Sequence, residues 1–178
     1  MKSTDVIGLY RELNNLGIKI WLDGGWAVDA LLGEQTRTHD DVDIVIQEKD
    51  VPKLRELLEA QGYRDVPRED PRTWNFVLGD NHGRLVDVHV IAFDAEGNGI
   101  YGPVERGEVY PAASLTGIGI ISAITVNCIA PEYLVKWHSG YTLREKDLKD
   151  VSALCARFDL ELPKEYAAVS TFGSIRDA

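Results

Sequence analysis

The run from His39 to Ile46, HDDVDIVI, limits what this chain can fold into more than any other stretch. Its second half is rich in β-branched residues, which favour strands, and alternate side chains of a strand share a face. Asp41 and Asp43 therefore project together, while Val42, Ile44 and Ile46 turn the other way. Such a strand needs a core on one side, and its paired acids, read as lying at a sheet edge, call for a cation. A third acid, Asp87, lies inside the later apolar run Arg84 to Phe93, where an unpaired buried charge would be costly.

Helices and strands alternate around these acids. Val6, Ile7, Tyr10, Leu13 and Leu16 recur at helical spacing, with Ser3 or Thr4 as the cap and Gly17 as the stop. Ile18 to Leu22 reads as a short strand, followed by a turn at Gly24-Gly25 and a helix from Trp26 to Leu32 that ends at Gly33. Thr36 to Asp40 connects to the strand Val42 to Ile46, and Asp50 opens an amphipathic helix that closes near Gly62. Trp74 to Leu78 and Arg84 to Phe93 flank a cluster of turn formers and predict an antiparallel hairpin. Asp94 to Thr125, rich in Gly and Pro, reads as loops with short strands. Pro131 starts a helix that runs to Gly140, and another spans about Leu143 to Phe158. The expected class is α+β: a small mixed sheet flanked by helices, with residues 1–130 as a core and 131–178 as a helical part packed on it in one globule.

The 178 residues, 44% hydrophobic and 27% charged, describe a folded chain able to bury a substantial core. A formal net charge of −10 disfavours a nucleic-acid partner, whose phosphates are met by Lys and Arg; it suits a cationic small molecule or a metal, and also solubility alone. Cys128 and Cys155 lack the close spacing of a metal knuckle and read as buried thiols. The opening residues carry no cleavable signal pattern, and no segment approaches the roughly 20 apolar residues of a membrane span, so the cytoplasm is the expected address.

Hard divalent cations such as Mg²⁺ take oxygen ligands, commonly one or two carboxylates plus substrate phosphates and water. Two aspartates leave room for a nucleotide, and in a two-ion arrangement Asp87 could hold an ion or accept a hydroxyl proton. Gly24 and Gly25 would let backbone N–H groups approach phosphate at a helix start.

The segments WLDGGWAVDALLG, THDDVDI, VDVHVI and WHSGYTL follow one another over about residues 18 to 155. Together they resemble the signature of the polymerase-β-type antibiotic nucleotidyltransferases, most closely the lincosamide enzymes, with the aminoglycoside nucleotidyltransferases as near relatives. The resemblance implies that Asp41 and Asp43 bind metal, with Asp87 as third carboxylate and general base. It also implies Mg²⁺ (two ions), an NTP co-substrate with ATP first, and an antibiotic hydroxyl as acceptor. Gly24 and Gly25 would lie against the nucleotide phosphates. Many members of the wider superfamily carry Ser after these glycines, whereas this chain has Trp26; Trp26 is by its place a candidate nucleotide contact, and backbone N–H groups or basic side chains must replace the hydroxyl contact.

Other candidates surround this motif. Arg37 suits phosphate through its fixed fork or merely tops a surface loop, and His39 could reach phosphate or orient an aspartate. His89 shares a strand face with Asp87 and either lines the acceptor pocket or is a satisfied core histidine. Lys136 and Lys146 are the candidates to reach a triphosphate, in a segment where Arg144, Asp147 and Asp150 can brace one helix face. His138, Ser139 and Tyr141 would border the acceptor, while Tyr133 and Trp137 read as core. The shortness of the chain leaves room for a homodimer that completes the acceptor pocket. A nucleotide-binding module without transfer activity is the competing reading, and retention of all three aspartates counts against it.

Overall fold

The computed structural model describes residues 1–138 and 142–167. Ser139 and Tyr141, both acceptor-site candidates, lie outside the described residues.

Helix α1 (Ser3–Asn15) buries Val6, Ile7, Leu9 and Leu13. Lys2, rather than Ser3 or Thr4, occupies its cap position, and Asp5 accepts the Lys2 backbone N–H at 3.0 Å. A reciprocal contact of this kind satisfies an otherwise orphaned N–H. Strand β1 (Ile20–Asp23) runs directly into α2 (Gly24–Leu32). The two glycines thus belong to the first turn of the helix and not to a separate turn before it.

Strand β2 (Asp41–Gln47) buries Val42, Ile44, Val45 and Ile46 completely and leaves Asp41 and Asp43 partly exposed. Helix α3 (Val51–Ala60), with Pro52 in its first turn, leads to β3 (Arg64–Asp65) and the hairpin β4 (Asn75–Gly79) and β5 (Leu85–Phe93). The Gly/Pro-rich stretch contains β6 (Gly99–Tyr101), β7 (Val109–Tyr110) and β8 (Gly117–Ile121), and β9 (Ile124–Cys128) follows. Helices α4 (Pro131–Trp137) and α5 (Glu145–Phe158) then pack on α2.

The strands form one mixed sheet in the order β3-β4-β5-β2-β1-β9-β8, with β6 pairing to the far end of β5 and β7 to β6. β2 is therefore central, not an edge. It pairs antiparallel to β1 and parallel to β5. A central strand flanked on both sides has its backbone N–H and C=O groups committed to the ladder, so the acids stand on a rigid floor. Among the described residues, no helix is long and apolar enough to cross a membrane. Cys128 and Cys155 are both buried free thiols.

Candidate active site

Strand register builds the site. Asp23 on β1 pairs with Asp43 on β2, and Asp43 pairs with Asp87 on β5. Side chains paired across neighbouring strands share a face, so three carboxylates form a row across the sheet, with Asp41 two residues along β2 on the same side. Burial pushes the Asp43 carboxyl well above the usual carboxylate range, and the charges of Asp41, Asp23 and Asp87 push it further, while Lys146 opposes them. Such mutual repulsion among oxygen donors is what a hard cation relieves, so the residues present fit a divalent metal. One donor atom each from Asp43, Asp87 and His89 lie within 4.8 Å of one another.

Gly24 lies against this row. Its φ is +55°, a backbone conformation that costs a glycine little, and a Cβ there would stand 2.1 Å from Asp43 Oδ2. At Gly25 a Cβ would stand 2.5 Å from Arg37 Nη2 and from His39 Nδ1. The helix can thus approach the acids and the loop before β2 only with glycine at both positions. Asp23 caps the helix by accepting the Gly24 N–H at 2.8 Å.

Asp87 is held from the side. Asn75 Nδ2 donates to its Oδ1 at 2.8 Å, and Arg68 stands 3.6 Å from its Oδ2. His89 Nδ1 is 2.9 Å from the Tyr110 hydroxyl, which donates to Asp23 Oδ2 at 3.1 Å. Burial, then the charge of Asp23, pushes the Tyr110 phenol up, and burial followed by Asp87 pushes that of Tyr101 up to about 12. Both phenols stay protonated, and that of Tyr110 donates to Asp23.

A cleft of about 510 Å³ opens over Asp23 and Asp43, lined also by His89, Tyr101, Tyr110 and Trp137 among others. Tyr110 and Trp137 meet edge to face at 4.9 Å, and Tyr101 stacks on His89 at 5.6 Å. Trp137, read as core from its spacing to Tyr133, is therefore also cleft wall. His138 lines the same cleft, its Nδ1–H donating to the Leu134 carbonyl at 2.7 Å, while Tyr166 O–H donates to the His138 carbonyl. Glu108 also lines the cleft, paired with Arg106 at 2.9 Å.

Several candidates lie elsewhere. Trp26 is 1% exposed, with its ring 4.7 Å from that of His39, so it packs beneath the glycines and cannot reach a ligand in the cleft. His39 is buried and bonds Asp29 through Nε2; Asp29 in turn accepts from Thr36, so the histidine orients the connecting loop and none of the three cation-site acids. Lys136 lines a separate groove with Ala113, Thr116 and Tyr133. Lys146 is exposed on α5 and acts electrostatically on Asp43.

Arg37 is committed to structure. Its Nη2 and Nε donate to Asp150 Oδ2 at 2.8 and 3.2 Å, and its Nη1 donates to the Thr38 carbonyl at 3.2 Å. Asp150 is 2% exposed, so the fork ties α5 to the loop before β2. Arg37→Met leaves that carboxylate buried and unpaired, and a loss of about 3 kcal/mol is expected in urea denaturation. An unchanged midpoint together with a raised nucleotide KM would instead make Arg37 a phosphate ligand.

Asp23, Asn75, Tyr101 and Tyr110 are site residues that sequence reasoning missed. Asp23 had one local signal, an acid immediately before a Gly-Gly helix start. The others arrive by strand pairing and carry no motif.

The fold is that of nucleotidyltransferases of the polymerase-β type. The family model described as aminoglycoside-2''-adenylyltransferase matches residues 5–154. A lincosamide resistance protein of Staphylococcus haemolyticus is 30% identical over 149 residues, covering 84% of this chain and 89% of that protein. A 2''-aminoglycoside nucleotidyltransferase of Escherichia coli is 34% identical over 73 residues, 39% of this chain and 41% of that one. Among solved structures, a lincomycin-bound lincosamide antibiotic adenylyltransferase superposes with a TM-score of 0.75 at 27% identity, over 86% of this chain and 96% of that one. An aminoglycoside enzyme in complex with adenylyl-2''-tobramycin shares the fold, with a TM-score of 0.68 at 20% identity over 98% of both chains. The chain belongs to the aminoglycoside-2''-adenylyltransferase family and is a nucleotidyltransferase.

Proposed function

We propose that the protein transfers a nucleoside monophosphate from an NTP, ATP first, to a hydroxyl of a lincosamide antibiotic and so confers resistance. The observation that carries this reading is the row of Asp23, Asp43 and Asp87, of which Asp23 and Asp43 line a cleft with aromatic walls. Asp41, Asp43 and Asp87 would hold Mg²⁺, in two ions on the fullest reading. The metal, when bound, supplies charge neutralisation on the triphosphate and acidifies the attacking hydroxyl. Asp87, ordered by Asn75, is the acceptor for that hydroxyl's proton. The hydroxyl oxygen bonds to the α-phosphorus as the bond to pyrophosphate breaks, and pyrophosphate leaves. The Gly24 and Gly25 backbone lies beside the acids for the phosphates, and Lys146 is the cation on α5 nearest in effect to Asp43.

The acceptor is chosen by the cleft. Tyr101, Tyr110, Trp137, Val109 and Leu134 supply apolar and aromatic surface, while beyond Asp23 and Asp43 of the row the lining adds one carboxylate, Glu108, which is paired with Arg106. That lining suits an acceptor with one amine and an apolar body better than one with several ammonium groups. A relative that spans 84% of the chain is a lincosamide resistance protein, which supports the same choice. An aminoglycoside acceptor is the second reading, favoured by the matching family model and the net charge of −10.

Incubation with radiolabelled ATP, Mg²⁺ and a panel of both antibiotic classes is expected to label lincosamides. Label on aminoglycosides alone selects the second reading. Measurable nucleotide binding with no labelled product from any NTP would sink both and leave a binding module.

A further inference from the structure

Donor and acceptor accounting along the cleft wall assigns a role to His89. An ionised carboxylate only accepts hydrogen bonds, so Asp23 takes the Gly24 N–H on Oδ1 and the Tyr110 O–H on Oδ2. With its proton directed at Asp23, the Tyr110 oxygen accepts from His89 Nδ1 at 2.9 Å. The imidazole is thereby held as the tautomer protonated on Nδ1, which leaves the lone pair on Nε2. Tyr101 stacks on the ring with 17° between the planes, which fixes its orientation. Nε2 stands 3.6 Å from Asp87 Oδ1, in the group whose donor atoms from Asp43, Asp87 and His89 lie within 4.8 Å of one another. Three lone-pair donors converge there, and Asp41 stands outside that group.

We infer that His89 Nε2 is a third ligand for the divalent cation of Asp43 and Asp87, with Tyr110 and Asp23 as the residues that position it. The inference rests on the proposed reading of the aspartates as a cation site. A metal-binding histidine ordinarily donates its other ring N–H to a carboxylate, carbonyl or water, which sets the tautomer and raises ligand basicity. Here a phenol stands between the histidine and that carboxylate. A mixed oxygen and nitrogen donor set also moves preference from Mg²⁺ toward transition-metal ions such as Mn²⁺.

The test titrates Mn²⁺ into the full chain without nucleotide and reads bound metal by electron paramagnetic resonance, using pulsed methods to detect nitrogen coupling. The expected result is a coupling that changes frequency when histidine is ¹⁵N-labelled and disappears in His89→Gln. Tyr110→Phe keeps the ring's packing but releases the tautomer, and is expected to weaken Mn²⁺ binding roughly tenfold. Mn²⁺ that is lost in Asp43→Asn yet shows no nitrogen coupling in the parent overturns the inference and leaves the aspartate reading standing. A parent that binds no Mn²⁺, or binding that Asp43→Asn leaves untouched, overturns both. The presence of nitrogen coupling is read on the parent protein, and His89→Gln assigns it to this ring.

Discussion

Asp43→Asn is expected to abolish nucleotidyl transfer while keeping the fold and, without divalent cation, to melt at a higher temperature than the parent. The loss follows from removing a ligand at the centre of the carboxylate row. Charge stabilisation by a bound metal is worth several kcal/mol in the transition state, which corresponds to about three orders of magnitude in turnover. The gain in stability follows from the site's repulsion, because burial and then Asp41, Asp23 and Asp87 all disfavour the ionised Asp43 carboxyl. A carboxyl whose folded pKa lies above its unfolded value binds more protons when folded, so its contribution to stability is full at low pH and is lost as pH rises through the folded pKa. The parent without metal should therefore lose stability relative to Asp43→Asn as pH climbs from the ordinary carboxylate range upward, and divalent cation should restore it. Melting curves across that range and steady-state turnover check the two halves separately. Turnover near the parent's, in a variant that still folds, would remove Asp43 from the chemistry.

Asp87→Asn is expected to lower turnover by about 10² to 10⁴, the usual contribution of a positioned proton acceptor, with nucleotide affinity retained. The amide keeps the shape and can still meet Asn75, which holds Asp87 Oδ1 at 2.8 Å. It cannot accept the hydroxyl proton. Comparing kcat with nucleotide Kd separates the two roles left open for this residue. A fall in kcat at constant Kd marks a base, whereas loss of nucleotide binding with little change in kcat at saturation marks a ligand. Asp87 is only 3.6 Å from His89 Nε2, so a combined result would place both residues around one ion.

Much of this was legible along the chain. The period of two in Asp41 to Gln47 put both acids on one face and Val42, Ile44 and Ile46 on the other, and the structure buries those three completely. The hairpin of β4 and β5 and the helix from Pro131 were likewise readable, because turn formers and a proline act within a few residues of themselves. Trp26 misled, since its place after the glycines suggested ligand contact while its bulk took it into the core beside His39. Arg37 was ambiguous for a different reason: its partner Asp150 lies 113 residues away, and a fork suited to phosphate is equally suited to a carboxylate.

The sequence by itself determined the local pieces: where strands and helices form, which face of β2 carries acid, and which family the motifs belong to. These depend on periodicity and short-range sterics, which act between near neighbours. Only the tertiary structure decided that β2 lies at the centre of the sheet, that Asp23 joins Asp43 and Asp87 in one row, and that Tyr110 links Asp23 to His89. Register between strands distant in sequence is set by which apolar faces pack together, and that choice is made by the whole core at once.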